Sequence, residues 1–306
     1  DAQTPRRLGR VYNIDRRPRV PFRNGDEIRG TTAAVRAMEF IPELGGGAPF
    51  TGRLQMYSDP GDPSKIYWKS SYQYPAHMVW GIPSQPWHET KRNKVCRVLE
   101  DSYEQIKSEL HRVVEAQREK DDLISRVGER HGEAELVASG EWRDFVLLND
   151  GGGLLEGKYS PQSLCPFTVN LLKNLEPVHS AVQSKIGVAI FSCLSPGTVL
   201  APHCGPTNLR LTCHLGLQIP DSASIKVGEE ERNWEEGKCL LFDDSFEHSV
   251  RHDGDRDRIV LLVNLWHPSI ERSKWEGLAT EARKIRQTRS ELQEYFHRQQ
   301  QRYGSR

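Results

Sequence analysis

The sequence predicts a mostly β protein with flanking helices, built around an antiparallel sandwich or barrel. Between about residues 142 and 268, apolar and polar residues alternate in several short runs. Gly, Pro and Asp separate these runs, which is typical of short strands joined by tight turns. Before this region apolar residues recur every three or four positions, and after it comes a charged segment without proline. Both flanks therefore favour helices packed on a β core.

The clearest strand patterns are three runs with alternating or continuous apolar residues. They are Val188–Phe191, Leu209–Leu217 and Arg258–Asn264. Because successive side chains of a strand point to opposite faces, Arg210, Thr212 and His214 fall on one face of the second run.

Two helices are predicted outside the β region. The first covers about residues 89–125, where one apolar stripe runs along a charged helix. Its stripe consists of Val95, Val98, Leu99, Ile106, Leu110, Val113 and Val114. The second covers about residues 271–303, where charged residues predominate and proline is absent, so we expect a long surface helix.

Residues 1–77 are rich in Arg, Pro and Gly and include the turn sequence Asp59-Pro60-Gly61-Asp62. This composition predicts an irregular arm that ends in a β-hairpin. The chain then divides into an N-terminal arm and hairpin (1–77), a β domain (78–270) and a C-terminal helix (271–306).

The composition is that of an ordinary globular protein, with 36% hydrophobic and 27% charged residues among 306. Lys and Arg number 42, as do Asp and Glu, so the formal net charge is zero. A nucleic-acid partner is not expected, because such proteins usually carry a basic excess. No stretch has the roughly 20 apolar residues that span a bilayer. The partner is therefore expected to be a peptide, an amino acid or another small molecule.

The six cysteines are scattered without a CxxC pair, and there is no Asn-x-Ser/Thr sequon. Zinc-ribbon spacing is absent, and a disulfide framework is not expected in a chain this long. This pattern favours a reducing compartment. We expect a cytoplasmic domain, or a lumenal one if a targeting segment has been removed before Asp1.

Three residues carry the chemical argument. His203 lies before an alternating strand, His248 ends the segment Phe242–His248, and Arg258 opens an apolar strand ten residues after His248. A half-buried Arg without an anion is costly. Two imidazoles on facing strands that bind Fe(II), with the Arg forked onto a dicarboxylate, account for all three residues.

Several motifs resemble the aspartyl/asparaginyl β-hydroxylase family. The segments with this resemblance are Gln85–Trp87, Gly140–Trp142, His203–Asn208, His214–Leu217, Trp234–Lys238, Phe242–His248 and Trp266–Pro268. The resemblance covers about residues 78–270. It implies a double-stranded β-helix, also called a jelly roll or cupin-like fold. It also implies an Fe(II)- and 2-oxoglutarate-dependent dioxygenase that uses O₂ to hydroxylate an unactivated carbon of an Asp or Asn side chain.

Position by position, the resemblance implies roles for individual side chains. His203 and His248 match the two iron ligands. Arg258 and Ser192 match the pair that binds the distal carboxylate of 2-oxoglutarate. His214 matches a residue beside the carboxylate that chelates iron.

The sequence departs from this family at two places. The family has an Arg at the position of Thr212, so we expect Arg210 on the same face to compensate in binding the co-substrate. The family also has a two-cysteine loop before its β core. Only Cys165 is present here, which implies that this disulfide is missing.

Most iron oxygenases of this fold have a carboxylate two residues after the first His, where this chain has Gly205. Water in that position would support hydroxylation, which we favour, whereas chloride would support halogenation. Asp243 and Asp244 are expected to act as support or capping groups near His248. The sequence also leaves open the hydroxylation of a lipid acyl chain and a binding module whose metal site has decayed.

Overall fold

The computed structural model describes most of the chain between residues 56 and 288. The described ranges are 56–59, 62–68, 72–79, 81–121, 123–126, 136–149 and 155–288. Residues 1–55 of the predicted arm and hairpin (1–77) and the part of the predicted C-terminal helix after residue 288 lie outside these ranges.

The hairpin predicted around the turn at residues 59–62 is present. Strand β1 (Met56–Asp59) pairs antiparallel with β2 (Asp62–Trp68). Asp59 lies opposite Asp62, so only two residues connect the strands. The register is irregular between Ser58 and Asp59.

The helix predicted over about 89–125 is wrong in its extent, because the structure has two helices there. Helix α1 (Lys94–Asp101) begins after Asn93, whose side chain accepts hydrogen bonds from the first-turn amides of Val95 and Cys96. Ser102, with φ −100° and ψ 7°, separates it from α2 (Tyr103–Gln117). The apolar stripe continues across the break, which is why periodicity alone does not reveal it.

Three short helices follow before the β core. They are α3 (Pro161–Leu164), α4 (Pro166–Asn174) and α5 (Glu176–Gln183). The buried carboxylate of Glu109 in α2 accepts hydrogen bonds from the backbone amides of Phe167 and Thr168 at 2.9 and 2.8 Å. These amides have no partner within α4, so Glu109 both caps α4 and ties it to α2.

The remaining strands are short and lie in two sheets. In chain order they are β3 (Trp87–His88), β4 (Ser125–Arg126), β5 (Val137–Ser139), β6 (Trp142–Leu148), β7 (Ala189–Leu194), β8 (Val199–His203), β9 (Arg210–Gln218), β10 (Ala223–Val227), β11 (Glu230–Asn233), β12 (Cys239–Phe242), β13 (His248–His252) and β14 (Arg258–Trp266). The larger sheet has the order β3-β12-β9-β14-β7-β6-β4, and the smaller one β11-β10-β13-β8-β5.

The connectivity of β7 to β14 is that of a double-stranded β-helix. Along the chain these strands pass back and forth between the larger and the smaller sheet, and every neighbouring pair is antiparallel. The prediction of a mostly β fold with a jelly-roll core and flanking helices is therefore confirmed.

The larger sheet has two chemically different faces. Leu211, Cys213 and Leu215 of β9 belong to a hydrophobic core that includes residues of α1, α2, α4 and α5. On the other face, Phe242 and Val260 belong to a second core, together with Leu200, Ile225 and Val250 of the smaller sheet. Arg210, Thr212 and His214 alternate with the helix-facing residues of β9, so they face the space between the sheets.

The C-terminal segment forms a short 3₁₀ turn at Arg272–Lys274 and then a helix, α6, over residues 275–288. The predicted surface helix packs on the core more closely than expected. Trp275 stacks on Trp266 of β14 with ring centroids 5.0 Å apart, and Ala279 is buried. None of the helices in the described ranges has the length and apolar character needed to cross a membrane.

Candidate active site between the two sheets

His203 and His248 lie opposite each other on β8 and β13 of the smaller sheet. Their ring centroids are 4.1 Å apart, with an angle of 53° between the ring planes. The next pair beyond them is Leu200 with Val250, so β8 has one more residue than β13 between the two pairs. Pro202 lies in this irregular stretch, where a residue without a backbone N–H is tolerated.

The two histidines are oriented in the same way by their own backbone. Nδ1 of His203 lies 2.7 Å from the carbonyl oxygen of Ala201, and Nδ1 of His248 lies 2.9 Å from that of Phe246. Because a carbonyl oxygen only accepts, each Nδ1 must carry the proton and each Nε2 the lone pair. Burial lowers the pKa of His248, which favours the neutral ring. Neutral imidazoles with a fixed Nδ1–H are the usual form of histidine metal ligands.

Arg258 is buried at the start of β14, with 2% of its surface exposed. Its Nη1 donates to the backbone carbonyl oxygen of Ser192 at 3.4 Å, and its guanidinium carbon lies 4.8 Å from the ring centroid of Trp234. It makes no ion pair with a described carboxylate, and its Nε–H has no hydrogen-bond partner there. Burial lowers the pKa of Arg258 to about 10. A buried cation without a counter-charge indicates a site for an anion.

Ser192 lies on β7 opposite Val260, and its backbone carbonyl oxygen accepts the hydrogen bond from Arg258. Its Oγ accepts a hydrogen bond from Nε1 of Trp142 at 3.1 Å. Because the indole uses one acceptor site of the hydroxyl, the serine O–H can still donate. Trp142 thus holds Ser192 in one orientation.

His214 faces the interior from β9, where it is buried. Nε1 of Trp234 donates to its Nδ1 at 3.2 Å, so the proton of the neutral ring is on Nε2. That Nε2 has no partner within the described ranges. Burial first, and then the charges of Arg258 and His248, hold the pKa of His214 well below its ordinary value. His214 is therefore a neutral donor near both residues.

Arg210 is the predicted site residue whose contacts differ most from expectation. Its Nη2 pairs with Oδ2 of Asp244 at 2.6 Å, and its Nη1 donates to the carbonyl oxygen of Ile186 at 2.5 Å. Thr212 is buried, and its Oγ1 accepts from Nδ2 of Asn264 at 2.8 Å. Compensation for the absent Arg by Arg210 therefore stays a prediction, since Asp244 already engages that guanidinium.

Asp244 fills the space beside Gly205. A Cβ at Gly205 would lie 2.5 Å from Cγ of Asp244, which no real Cβ tolerates, and the Gly205 amide donates to the Asp244 carbonyl oxygen at 2.6 Å. The carboxylate also raises the pKa of His248 against the effect of burial. A carboxylate thus lies near the histidine pair, but it comes from the β12–β13 connection and not from position 205.

Residues 72–79, mostly on the arm side of the predicted boundary at residue 77, line the loops that carry the histidines. Gln73 donates to Oγ of Ser245 at 2.8 Å, and the hydroxyl of Tyr74 donates to the carboxylate of Glu247 at 2.5 Å. His77 forms a parallel bridge with Thr207. This segment therefore supports the site.

Sequence reasoning assigns no role to Trp142 and Trp234, although both lie in motifs that carry the resemblance. The signal that could have found them is chemical, because the N–H of a buried indole needs an acceptor. The partners of these indoles could not be identified from spacing, since Ser192 is 50 residues from Trp142.

Comparison with known proteins agrees with this geometry. A family model described as aspartyl/asparaginyl beta-hydroxylase matches residues 100–268. The chain is 43% identical over 143 residues to aspartate beta-hydroxylase domain-containing protein 2 of Xenopus tropicalis, a match that covers 46% of this chain. It is 32% identical over 208 residues to aspartyl/asparaginyl beta-hydroxylase of Mus musculus, covering 67% of this chain. The matches span 37% and 26% of the lengths of those two relatives.

Among solved structures, the chain is similar to a Pseudomonas putida prolyl-4-hydroxylase. That match has 12% identity and a TM-score of 0.34, and it covers 55% of this chain and 88% of the other. AviO1 from Streptomyces viridochromogenes Tue57 matches with 10% identity and a TM-score of 0.36, covering 56% and 86%.

Proposed function

The chain belongs to the aspartyl/asparaginyl β-hydroxylase family, and from that premise we propose that it is an Fe(II)- and 2-oxoglutarate-dependent dioxygenase. The proposed reaction hydroxylates an unactivated carbon, most simply the β-carbon of an Asp or Asn residue or of a related amino acid or peptide. The observation that carries the proposal is the buried Arg258 cation, which has no described counter-charge. A dicarboxylate co-substrate supplies the missing charge.

The histidine pair fits Fe(II). His203 and His248 each direct Nδ1 at a backbone carbonyl oxygen, which leaves Nε2 to bind a metal, and imidazole is a suitable ligand for ferrous iron. In the proposed site these two residues are the protein ligands. When bound, the iron with 2-oxoglutarate and O₂ supplies the oxidising power, and succinate and CO₂ are the by-products.

The position of Asp244 favours hydroxylation over halogenation. Its carboxylate lies against Gly205, where a chloride would otherwise fill the space of the absent ligand. A negative group there repels an anion and accepts hydrogen bonds from water. Arg210 neutralises part of this charge, so halogenation is the second candidate reaction.

The co-substrate fits the donors around Arg258. The guanidinium can fork onto one carboxylate with two parallel hydrogen bonds, and the hydroxyl of Ser192 can donate beside it. His214 offers its Nε2–H to the carboxylate nearer the metal. These groups bind, orient and desolvate the co-substrate, and the interior position of the site excludes bulk water.

The substrate assignment rests on the family and on the relatives' names, each of which contains "beta-hydroxylase". A lipid acyl chain and a non-catalytic ligand remain the competing choices. In a non-catalytic binding module with a decayed metal site, His203 and His248 would have no metal to bind.

The proposal is tested by anaerobic reconstitution with Fe(II) and 2-oxoglutarate, followed by exposure to O₂ with Asp- and Asn-containing peptides. We expect succinate formation and a peptide mass increase of one oxygen atom. His203→Ala should abolish both, whereas His111→Ala, at an exposed position of α2, should change neither. Absence of Fe(II)-dependent succinate from the wild-type protein would refute the enzyme and leave the binding module.

A further inference from the structure

Three cysteines meet on the helix-facing side of the larger sheet, away from the histidine pair. Cys96 lies in the first turn of α1, Cys213 on β9 and Cys239 on β12. Their Sγ atoms all lie within 4.8 Å of one another. All three are free and buried, with at most 5% of their surface exposed. The proposed reaction does not use this cluster.

The spacing of the sulfurs is close to that of a metal thiolate centre. A metal bonded to sulfur at about 2.3 Å holds its ligands roughly 3.8 to 4 Å apart in tetrahedral or trigonal geometry. The Sγ atoms of Cys96 and Cys213 are 3.7 Å apart. An ion could therefore enter the cluster with little movement of the backbone.

We propose that Cys96, Cys213 and Cys239 form a buried three-sulfur site that binds Cu(I) in preference to Zn²⁺. Soft thiolate ligands select both ions. Structural zinc, however, almost always takes four ligands. No His, Asp or Glu of the described ranges joins the three sulfurs within the same distance, and the burial of all three thiols disfavours a water ligand. Three sulfurs satisfy a low-coordinate ion such as Cu(I).

The surroundings compensate part of the negative charge of the ligated sulfurs. Cys96 lies near the N-terminus of α1, whose backbone amides contribute positive potential, whereas the carboxylate of Glu100 lies near Cys239 and acts against it. Each thiol that ligates the ion releases its proton to solvent. Because the cluster is sealed, the ion enters as the chain folds.

The bound ion would join α1 to two strands that position the active site. Cys213 is adjacent in sequence to His214, whose side chain faces the opposite side of β9. Cys239 begins the strand that leads to Asp244. A metal here would stabilise the larger sheet without contacting the co-substrate.

The test uses the reduced full-length protein under anaerobic conditions. The protein is refolded from urea with Cu(I) in competition with a chromogenic Cu(I) chelator, and with Zn²⁺ in a parallel arm. We expect one tightly bound equivalent of Cu(I) with only sulfur neighbours in X-ray absorption, and at least a tenfold weaker binding of zinc. Cys213→Ala should lose this equivalent. Cys165→Ala should retain it, because Cys165 is equally buried but lies outside the cluster.

Equal Cu(I) binding by the wild-type protein and Cys213→Ala would overturn the proposal, as would zinc binding tighter than Cu(I). If Cys213→Ala does not fold, X-ray absorption of the copper-loaded wild-type protein decides alone. Nitrogen neighbours would then place the ion on histidines and refute the three-sulfur site.

Discussion

Arg258→Met tests whether the Arg258 cation binds the co-substrate or stabilises the fold. The substitution keeps a flexible side chain of similar length and removes the charge. The wild-type guanidinium is buried, lies over Trp234 and makes one long hydrogen bond to a carbonyl oxygen. A structural cation would have better partners, so we expect the free protein to tolerate the change.

The magnitude follows from two opposing contributions. Burial lowers the pKa of Arg258 from 12.5 to about 10, which corresponds to about 3 kcal/mol of lost solvation. The desolvated cation–π contact with Trp234 offsets about 2 kcal/mol of this cost. Without co-substrate, Arg258→Met should therefore change the free energy of unfolding by no more than about 1 kcal/mol, and a gain is as consistent as a loss.

With 2-oxoglutarate the two proteins should differ. A ligand at a hundred times its dissociation constant stabilises the native state by about 2.7 kcal/mol. Loss of one partner of a desolvated charge pair costs about 2 to 5 kcal/mol of binding. At that concentration we therefore expect 2-oxoglutarate to raise the stability of the wild-type protein by about 2.7 kcal/mol and that of Arg258→Met by less than about 1 kcal/mol.

The assay is equilibrium unfolding in urea, with and without 2-oxoglutarate, in the presence of Mn²⁺ as a redox-inert metal. Arg143→Met is the control, because Arg143 is part-exposed, with 26% of its side-chain surface accessible, and pairs with Asp257 at 3.0 Å. It should lose at most about 1 kcal/mol and keep the response to 2-oxoglutarate. The reasoning is refuted if Arg258→Met loses several kcal/mol without co-substrate yet is still stabilised by it.

Three further predictions concern other residues of the candidate site. Gly205→Asp should lower the free energy of unfolding by about 1 to 3 kcal/mol because its Cβ overlaps Asp244; unchanged stability in urea would contradict this. Trp234→Phe should raise the KM for 2-oxoglutarate about tenfold with a smaller effect on kcat, since it releases the tautomer of His214 and weakens the contact with Arg258; unchanged ¹⁵N shifts of His214 would count against this explanation. Stability in urea should fall as the pH drops below about 6.5, because the unfolded chain takes up a proton that buried His214 refuses. His214→Leu should reduce that slope by up to about 1.4 kcal/mol per pH unit, and an unchanged slope would exclude His214 as its source.

The core strands could be predicted because burial imposes a strong local pattern on them. Leu211, Cys213 and Leu215 face the helices, while Arg210 and His214 face the interior, and alternation alone separates these sets. Strand placement together with the family motifs predicts that His203 and His248 lie on facing strands. Their pairing across β8 and β13 agrees with that expectation.

Contacts between residues distant in sequence could not be predicted. Strand alternation places Arg210 on the co-substrate face, but its ion pair with Asp244, 34 residues away, depends on the β12–β13 connection. The division between α1 and α2 could not be predicted for a different reason. Ser102 changes the backbone locally without interrupting the apolar stripe, so periodicity contains no signal for it.

The hydrogen bonds from each histidine to a carbonyl two residues earlier have a consequence for engineering. Each imidazole has a backbone acceptor for its Nδ1–H in the same strand or in the turn that enters it, so this contact is set locally. The β8–β13 strand pair is therefore a candidate for transfer to another antiparallel scaffold as a two-histidine cassette, that is, a metal-binding motif. The cassette would need only the strand register, with its extra residue near Pro202, to be reproduced.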